Sequence, residues 1–280
     1  MSEIKLVIDY EAYESGKTMT EGLEQLAASS QSQELTRLVI GDWGGSYEND
    51  SSEIVATLIR LKDQFPKLRE LFIGDMEFDE CEVSWIMQSN LGPILDAFPE
   101  LTSLTIKGST GLELDPARHD KLEELIIICG GLDKQVLSAI SEGHFPSLKK
   151  LELYLGVEDY GFNGTLDDVM KLIEPGRFPQ LRYLGLKDSI IQDEIAIAIA
   201  EHPILEQLHT LDLSLGVLTD KGGEALLQSE KIRKLEFLDL KYHYMSDKMV
   251  NRWKKSGLNV DVSEQQEEEE EEYRYPFLTE

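Results

Sequence analysis

The chain has 280 residues, 41% of them hydrophobic, with 54 acidic residues against 27 basic ones and a formal net charge of −27. That length allows one large or two ordinary domains. So negative a chain is a poor partner for nucleic-acid phosphate, which needs a basic footprint. No apolar run approaches the ~18–20 residues of a membrane span.

The opening Met1-Ser2-Glu3-Ile4-Lys5 lacks the basic stretch followed by an apolar one that marks a secretory leader, so a cytoplasmic location is expected. A first strand is predicted over Ile4 to Asp9. The pattern Leu-x-x-Leu-x-[Leu/Ile] then begins eight times, at Leu35, Leu68, Leu101, Leu122, Leu148, Leu181, Leu208 and Leu235. The spacings are 33, 33, 21, 26, 33, 27 and 27 residues. Self-similarity at such a period outranks any local motif and specifies a stack of repeats.

In Leu148-Lys149-Lys150-Leu151-Glu152-Leu153, Leu151 and Leu153 lie two apart and share one face of a strand, while Lys150, Glu152 and Tyr154 point to the other. One such strand cannot bury its apolar face alone, but stacked neighbours bury a continuous core. Helices are predicted over Glu53 to Gln64, Asp133 to Glu142 and Thr165 to Glu174. Three later units place Ile191-Gln192-Asp193-Glu194, Leu218-Thr219-Asp220-Lys221 and Met245-Ser246-Asp247-Lys248 at matching positions, and Thr, Ser and Asp there read as helix N-caps. Phe65-Pro66, Phe98-Pro99, Phe145-Pro146 and Phe178-Pro179 end helices, because proline cannot continue one. The four phenylalanines read as core plugs, a position that Leu205 and Ile232 take in the last two units. A final strand is predicted near Val260.

Each unit is therefore strand, loop, helix, and the fold class is α/β: a curved solenoid of about eight leucine-rich repeats, with a parallel β-sheet on the concave face and helices on the convex face. The uninterrupted repeat argues for one solenoid domain over 1–263, capped by about 1–34, followed by an acidic C-terminal tail over 264–280 that reads as flexible. Glu267 to Glu272 are six consecutive carboxylates, which repel one another. The segment Tyr273-Arg274-Tyr275-Pro276-Phe277-Leu278 either docks back on the solenoid or serves as a short recognition segment.

These residues resemble the leucine-rich-repeat superfamily, specifically the ribonuclease-inhibitor-like type with a helix in each unit. Gly41-Asp42-Trp43-Gly44 also looks like an uncharacterised bacterial cytoplasmic branch of that superfamily. The resemblance covers roughly Leu35 to Val262 and implies protein binding through the concave face, with no catalytic residue carried over. The chain departs from the family pattern three residues past the last strand Leu. Asn or Cys is common there, and this chain has Trp43, Met76, Ser109, Gly130, Gly156, Ser189, Gly216 and His243.

The concave positions balance. Arg37, Lys107, Lys150, Lys187 and Lys241 oppose Glu70, Glu124, Glu152, Asp212 and Asp239, and apolar or aromatic residues fill much of the rest. A neutral, apolar inner face is expected, with the acidity held in loops, helices and tail. Aromatic side chains are the anchors that protein interfaces favour. The protein-binding residues expected are Trp43, Phe72, Ile126, Ile128, Tyr154, Tyr183, Lys187, Phe237 and Tyr242. The bland alternative is that flanking loops cover several of them. Trp85 is expected to pack beneath its own long connection. Tyr242-His243-Tyr244 reads equally as a rim contact or a cap over the last units.

Cys81 and Cys129 are the only cysteines and lie in different repeats, so two reduced, buried thiols are expected. The five histidines are scattered, and no phosphate loop, His-Glu-x-x-His or nucleophile elbow occurs. No enzyme activity, cofactor or metal is therefore expected. The leading expectation is a monomeric, non-catalytic scaffold that binds another protein and contacts neither nucleic acid nor membrane. The alternative is an acidic inhibitor or chaperone of a basic protein such as a nuclease.

Overall fold

A computed structural model describes residues 2–267, 270 and 273–279. All eight repeat hexapeptides lead into strands: β2 (Arg37–Trp43), β3 (Glu70–Ile73), β4 (Ser103–Lys107), β5 (Glu124–Ile128), β6 (Lys150–Gly156), β7 (Tyr183–Ser189), β8 (Thr210–Asp212) and β9 (Phe237–Asp239). The strands predicted at the two ends are β1 (Glu3–Ile8) and β10 (Val260–Asp261). The helices are α1 (Tyr10–Glu14), α2 (Met19–Ala28), α3 (Ser52–Leu61), α4 (Gly92–Ala97), α5 (Lys134–Glu142), α6 (Leu166–Lys171), α7 (Gln192–Ile199), α8 (Asp220–Gln228) and α9 (Asp247–Lys255).

The chain packs as two compact units, Met1–Ile128 with Glu142–Leu148, and Cys129–Ser141 with Lys149–Thr279. In the first unit β1 to β5 pair side by side, all parallel, in chain order. In the second, β6 to β10 do the same. Within each unit this is an α/β solenoid of leucine-rich repeats.

Register explains the core. Leu38, Leu71, Leu104 and Leu125 lie opposite one another across β2 to β5, and Leu151, Leu184, Leu211 and Leu238 across β6 to β9. All eight are buried. Burying each such side chain contributes roughly 2 kcal/mol. Seven of the eight leading leucines are buried as well, and Leu235 is half-buried.

Phe65, Phe98, Phe145 and Phe178 are buried plugs. Each phenylalanine carbonyl accepts the N–H of the repeat leucine three residues on, at 3.0–3.2 Å. Phe-Pro-x-Leu is thus a β-turn with proline in its second place, where a φ near −65° is wanted. Cys81 and Cys129 are buried thiols that are not joined in a disulfide.

Two expectations need correction. The unit that begins at Leu101 has only 21 residues before the next and holds no helix among its described residues. An irregular loop replaces it, with Leu112 and Leu114 buried in place of a helix face and His119 buried against the Phe98 carbonyl at 3.0 Å. The tetrapeptides also do more than cap their own helices. Thr219 and Ser246 are the N-caps of α8 and α9, accepting from Lys221 N–H (3.2 Å) and Met249 N–H (3.3 Å). Their hydroxyls donate to the aspartate of the preceding repeat: Thr219 Oγ1 to Asp193 (2.5 Å), Ser246 Oγ to Asp220 (2.7 Å). The same aspartates accept the backbone N–H of Thr219 (2.8 Å) and Ser246 (2.7 Å). Gln192 does not cap α7. It is buried and donates to the Leu186 carbonyl at 3.0 Å.

Asp193 additionally accepts the Gly222 N–H at 3.0 Å, so one carboxylate serves three donors of the next helix start. Asp193→Ala is expected to lower the unfolding free energy by roughly 1–2 kcal/mol, as loss of a helix cap does. Urea denaturation checks this, and a loss under about 0.5 kcal/mol removes the cross-repeat ladder as a stabilising element. At Gly156 (φ +73°), an added Cβ would lie 1.7 Å from the Gly130 carbonyl oxygen. Gly156→Ala is expected to leave the second unit unfolded by circular dichroism.

Candidate functional site

The strand residues that alternate with the buried leucines form the open face of each unit. In the first unit, register aligns Val39, Phe72, Thr105 and Ile126 across β2 to β5. Val39 is buried, whereas Phe72, Thr105 and Ile126 are half-buried. Ile128, half-buried too, lies opposite Lys107. One row earlier the face is charged: Arg37 pairs with Glu3 (3.3 Å) and Glu70 (3.7 Å), and Ser103 Oγ donates to Glu124 (3.3 Å). The expected apolar strip therefore exists here, beside a self-paired charged row.

The open face of the second unit is different. Lys150 and Tyr183 are opposite each other, as are Tyr154 and Lys187, and the row between them runs Glu152, Gly185, Asp212, Asp239, Asp261. Lys187 Nζ sits 3.2 Å from Glu152 Oε1 and 3.2 Å from Asp212 Oδ2, with its side chain only 12% exposed. Lys150 Nζ reaches Glu152 Oε2 at 2.9 Å, and the Tyr183 hydroxyl donates to Asp212 Oδ2 at 2.6 Å. Both tyrosine rings carry an ammonium: Lys150 lies 4.6 Å from the Tyr183 centroid and Lys187 lies 4.9 Å from that of Tyr154. Gly185 makes room for this network, since a Cβ there would meet Glu152 Cγ at 3.1 Å and Lys187 Cδ at 3.4 Å.

Burial alone would push the Lys187 ammonium down, but the carboxylate of Asp212, then Tyr154 and Glu152, hold it above its ordinary value. Burial, and then the negative charge of Asp212, push the Tyr183 phenol far up. This face is not the apolar surface expected. The rings of Tyr154 and Tyr183, half-buried like Phe237 at the margin, each lie against one of the chain's own lysines.

Two tryptophan expectations are overturned. Trp43 is 6% exposed and its Nε1 donates to the Asn49 carbonyl at 2.9 Å, so it is a core residue rather than a rim anchor. Its chain direction is set by Gly44 (φ +91°), where a Cβ would clash with the Tyr13 ring at 2.6 Å. Trp85, expected beneath its connection, is 60% exposed. Tyr242 (φ +58°) acts as part of a cap, with its ring edge-on to Phe277 at 5.4 Å and to Tyr244 at 6.2 Å.

That cap involves the chain's C-terminal segment, whose described part folds back onto the end of β7 and the loops after β8 and β9. The Phe277 N–H donates to the Leu215 carbonyl (2.8 Å), the Leu278 N–H to Asp188 Oδ1 (2.7 Å), and the Tyr244 hydroxyl to the Tyr275 carbonyl (2.9 Å). Pro276 is buried. Of the predicted extended Glu267 to Glu272 run, residues 268, 269, 271 and 272 lie outside the described residues. Asp188 is fully buried at φ +53°, and its Oδ2 has no hydrogen-bond partner. Burial pushes its carboxyl up to about 8, against smaller opposing effects from the Leu278 N–H, Lys187 and the Phe277 N–H. Nothing in the sequence singled out Asp188. Among the described residues no group of three or more His, Cys, Asp or Glu could hold a metal ion, and no helix is long and apolar enough to cross a membrane.

Two outcomes follow from these geometries. Lys187→Met leaves Glu152 and Asp212 facing each other without their shared cation and is expected to cost about 3 kcal/mol of stability. Adding Glu152→Gln and Asp212→Asn is expected to recover part of it in the same denaturation assay. For Asp188 the folded-state value is raised above that of a free carboxyl, so its protonated form stabilises the folded second unit at low pH. That contribution is lost as pH rises toward about 8. The unfolding free energy should fall between pH 5 and about 8 by more in the wild type than in Asp188→Asn.

No family model and no curated protein matches the chain. Among solved structures, a Bacteroides fragilis protein is 38% identical, with a TM-score of 0.89 over 96% of this chain and 76% of that one. An internalin from Listeria monocytogenes, 13% identical with a TM-score of 0.35, covers 84% of this chain and 62% of its own. At 38% identity over most of both chains, this protein belongs to the same family as the Bacteroides fragilis protein.

Proposed function

We propose that this chain is a non-catalytic protein-binding scaffold of the leucine-rich-repeat kind, similar to the ribonuclease-inhibitor-like type and to a bacterial cytoplasmic branch of it, working as a monomer in the cytoplasm. The observation that carries this reading is the strip of Phe72, Thr105 and Ile126, continued by Ile128, on the open strand face of the first unit. Four side chains held at fixed spacing by a parallel ladder lose little freedom when a partner docks, so their apolar area is converted to affinity with a small ordering cost. In the second unit Phe237 offers the same chemistry, while Tyr154, Tyr183 and Lys187 supply polar complementarity from a network already satisfied within the chain. The reading assigns the chain no chemistry, cofactor or metal.

The test compares retention of a partner from source-cell lysate by the wild type, by Phe72→Asp/Ile126→Asp and by Tyr154→Asp/Phe237→Asp, at low and moderate salt. The first variant is expected to weaken retention by about tenfold or more, with little change across the salt range. The second should have the smaller effect, because Tyr154 already lies under Lys187. Retention unchanged in both variants removes the open face as the binding surface.

A further inference from the structure

The large apolar side chains left exposed are not scattered. In the first unit all but Val7, on β1, cluster on the segments that leave the carboxyl ends of three adjacent strands. Tyr10 (70% exposed) and Tyr13 follow β1, Tyr47 (51%) follows β2, and Phe78 (63%) and Trp85 (60%) follow β3. These loops are stacked on one another. The Tyr13 ring lies against Gly44 and Gly45, and its hydroxyl accepts from Asn49 Nδ2 at 3.3 Å. Met87 N–H donates to the Ser46 carbonyl at 2.9 Å, and the Ser51 and Ser89 hydroxyls meet at 2.9 Å. The aromatics therefore belong to one continuous edge.

The residues between them are acidic. Segments 9–15, 42–53 and 75–85 carry three, four and five carboxylates respectively and no lysine or arginine. Lysines from elsewhere touch the edge at its base, where Lys5 pairs with Asp75 at 3.0 Å and Lys107 donates to the Met76 carbonyl. The outer carboxylates Glu48, Glu77 and Asp79 are exposed. The charge of Glu48 is registered at Tyr47, whose phenol is pushed up first by Glu48 and then by slight desolvation and its neighbours Tyr10, Tyr13 and Asp42. Exposed aromatic faces set among carboxylates complement one kind of side chain in particular: a long cation that lies its stem and charge on a ring while pairing with an acid.

The second unit shows what such an edge accepts. The end of its β7 and the loops after β8 and β9 hold a piece of the chain itself, tied by main-chain hydrogen bonds from Phe277 and Leu278. There Arg274 lies 6.0 Å from the centroid of the Tyr244 ring.

We propose that the edge built by the loops after β1, β2 and β3 is a docking surface for an extended polypeptide segment rich in arginine and lysine. Its cations lie on Tyr10, Tyr47, Phe78 and Trp85 and pair with the carboxylates between them. The surface is separate from the Phe72 strip, so this inference and the scaffold reading above stand or fall independently.

The probe is a synthetic peptide of alternating arginine and alanine, titrated into the full chain by calorimetry and by tryptophan emission. Trp43 and Trp253 are buried, so a change in emission reports on Trp85. Saturable binding with a shift in emission is expected. Tyr47→Ser/Phe78→Ser should weaken it by about tenfold, and Glu48→Gln/Glu77→Gln/Asp79→Asn should weaken it and flatten its dependence on salt. Phe72→Asp/Ile126→Asp should leave it unchanged. Equal neutralisation of the exposed Glu158, Asp159 and Asp167 in the second unit should also have no effect. All these substitutions except Phe72 and Ile126 are at exposed positions, and a retained thermal midpoint shows that each variant is folded. Binding that never saturates, or that weakens equally whichever three carboxylates are removed, reduces the effect to bulk charge and overturns the proposal.

Discussion

The structure depends on an alternation: in each of the eight repeats the two strand positions that face the core, such as Leu71 and Ile73, are leucine or isoleucine and meet their counterparts on the next strand. Leu71 opposite Leu104, or Leu184 opposite Leu211, can be buried only because the parallel register places equivalent positions side by side. Once that face is committed to the core, the residues between have nowhere to go but the open face, whatever their chemistry. The repeat therefore fixes the positions of the surface residues before any of them is selected for binding.

That constraint explains the contrast between the two open faces. Side chains such as Glu152, Lys187 and Asp212 are held in adjacent rows a strand apart, where water reaches them poorly. Unpaired, each would carry a desolvation penalty of several kcal/mol. The second unit meets this by letting Lys187 serve two carboxylates, with Gly185 leaving the space for it. The first unit keeps its charged row, with Arg37, Glu3 and Glu70, apart from its apolar one. A partner approaching the first face meets hydrocarbon, and one approaching the second meets a charge network already closed on itself.

Much of the architecture was legible in the sequence because it rests on periodicity. The eight hexapeptides, the terminal strands, the Phe-Pro turns and helices such as that over 52–61 all follow from spacing and from proline chemistry. The misses arose where the answer depends on a neighbour in space. Trp43 reads as a rim residue one strand at a time, but it is buried and its indole N–H is taken up by the Asn49 carbonyl of the following loop. Trp85 reads as core because it sits in a long connection, but the connection turns it outward. Tyr154 and Tyr183 read as exposed anchors until Lys187 and Lys150 are found on their rings. One cross-repeat feature did leave a trace. The aspartates at 193, 220 and 247 recur every 27 residues, and that exact recurrence at a helix start is what a ladder of shared caps produces.

Charge ties these observations together. The open-face positions are nearly balanced, so a net charge of −27 has to be carried by loops, helices and termini. In the first unit the loops at the carboxyl ends of β1 to β3 hold a dense part of it, interleaved with aromatic rings. Apolar rings exposed in a monomer promote indiscriminate association, and surrounding like charges suppress it by keeping copies of the chain apart. The same charges that repel a second copy attract a cationic segment. Selectivity thus comes from pairing the two features on one edge: rings alone would bind anything apolar, carboxylates alone anything basic, and together they favour a chain that carries both a stem to stack and a charge to pair.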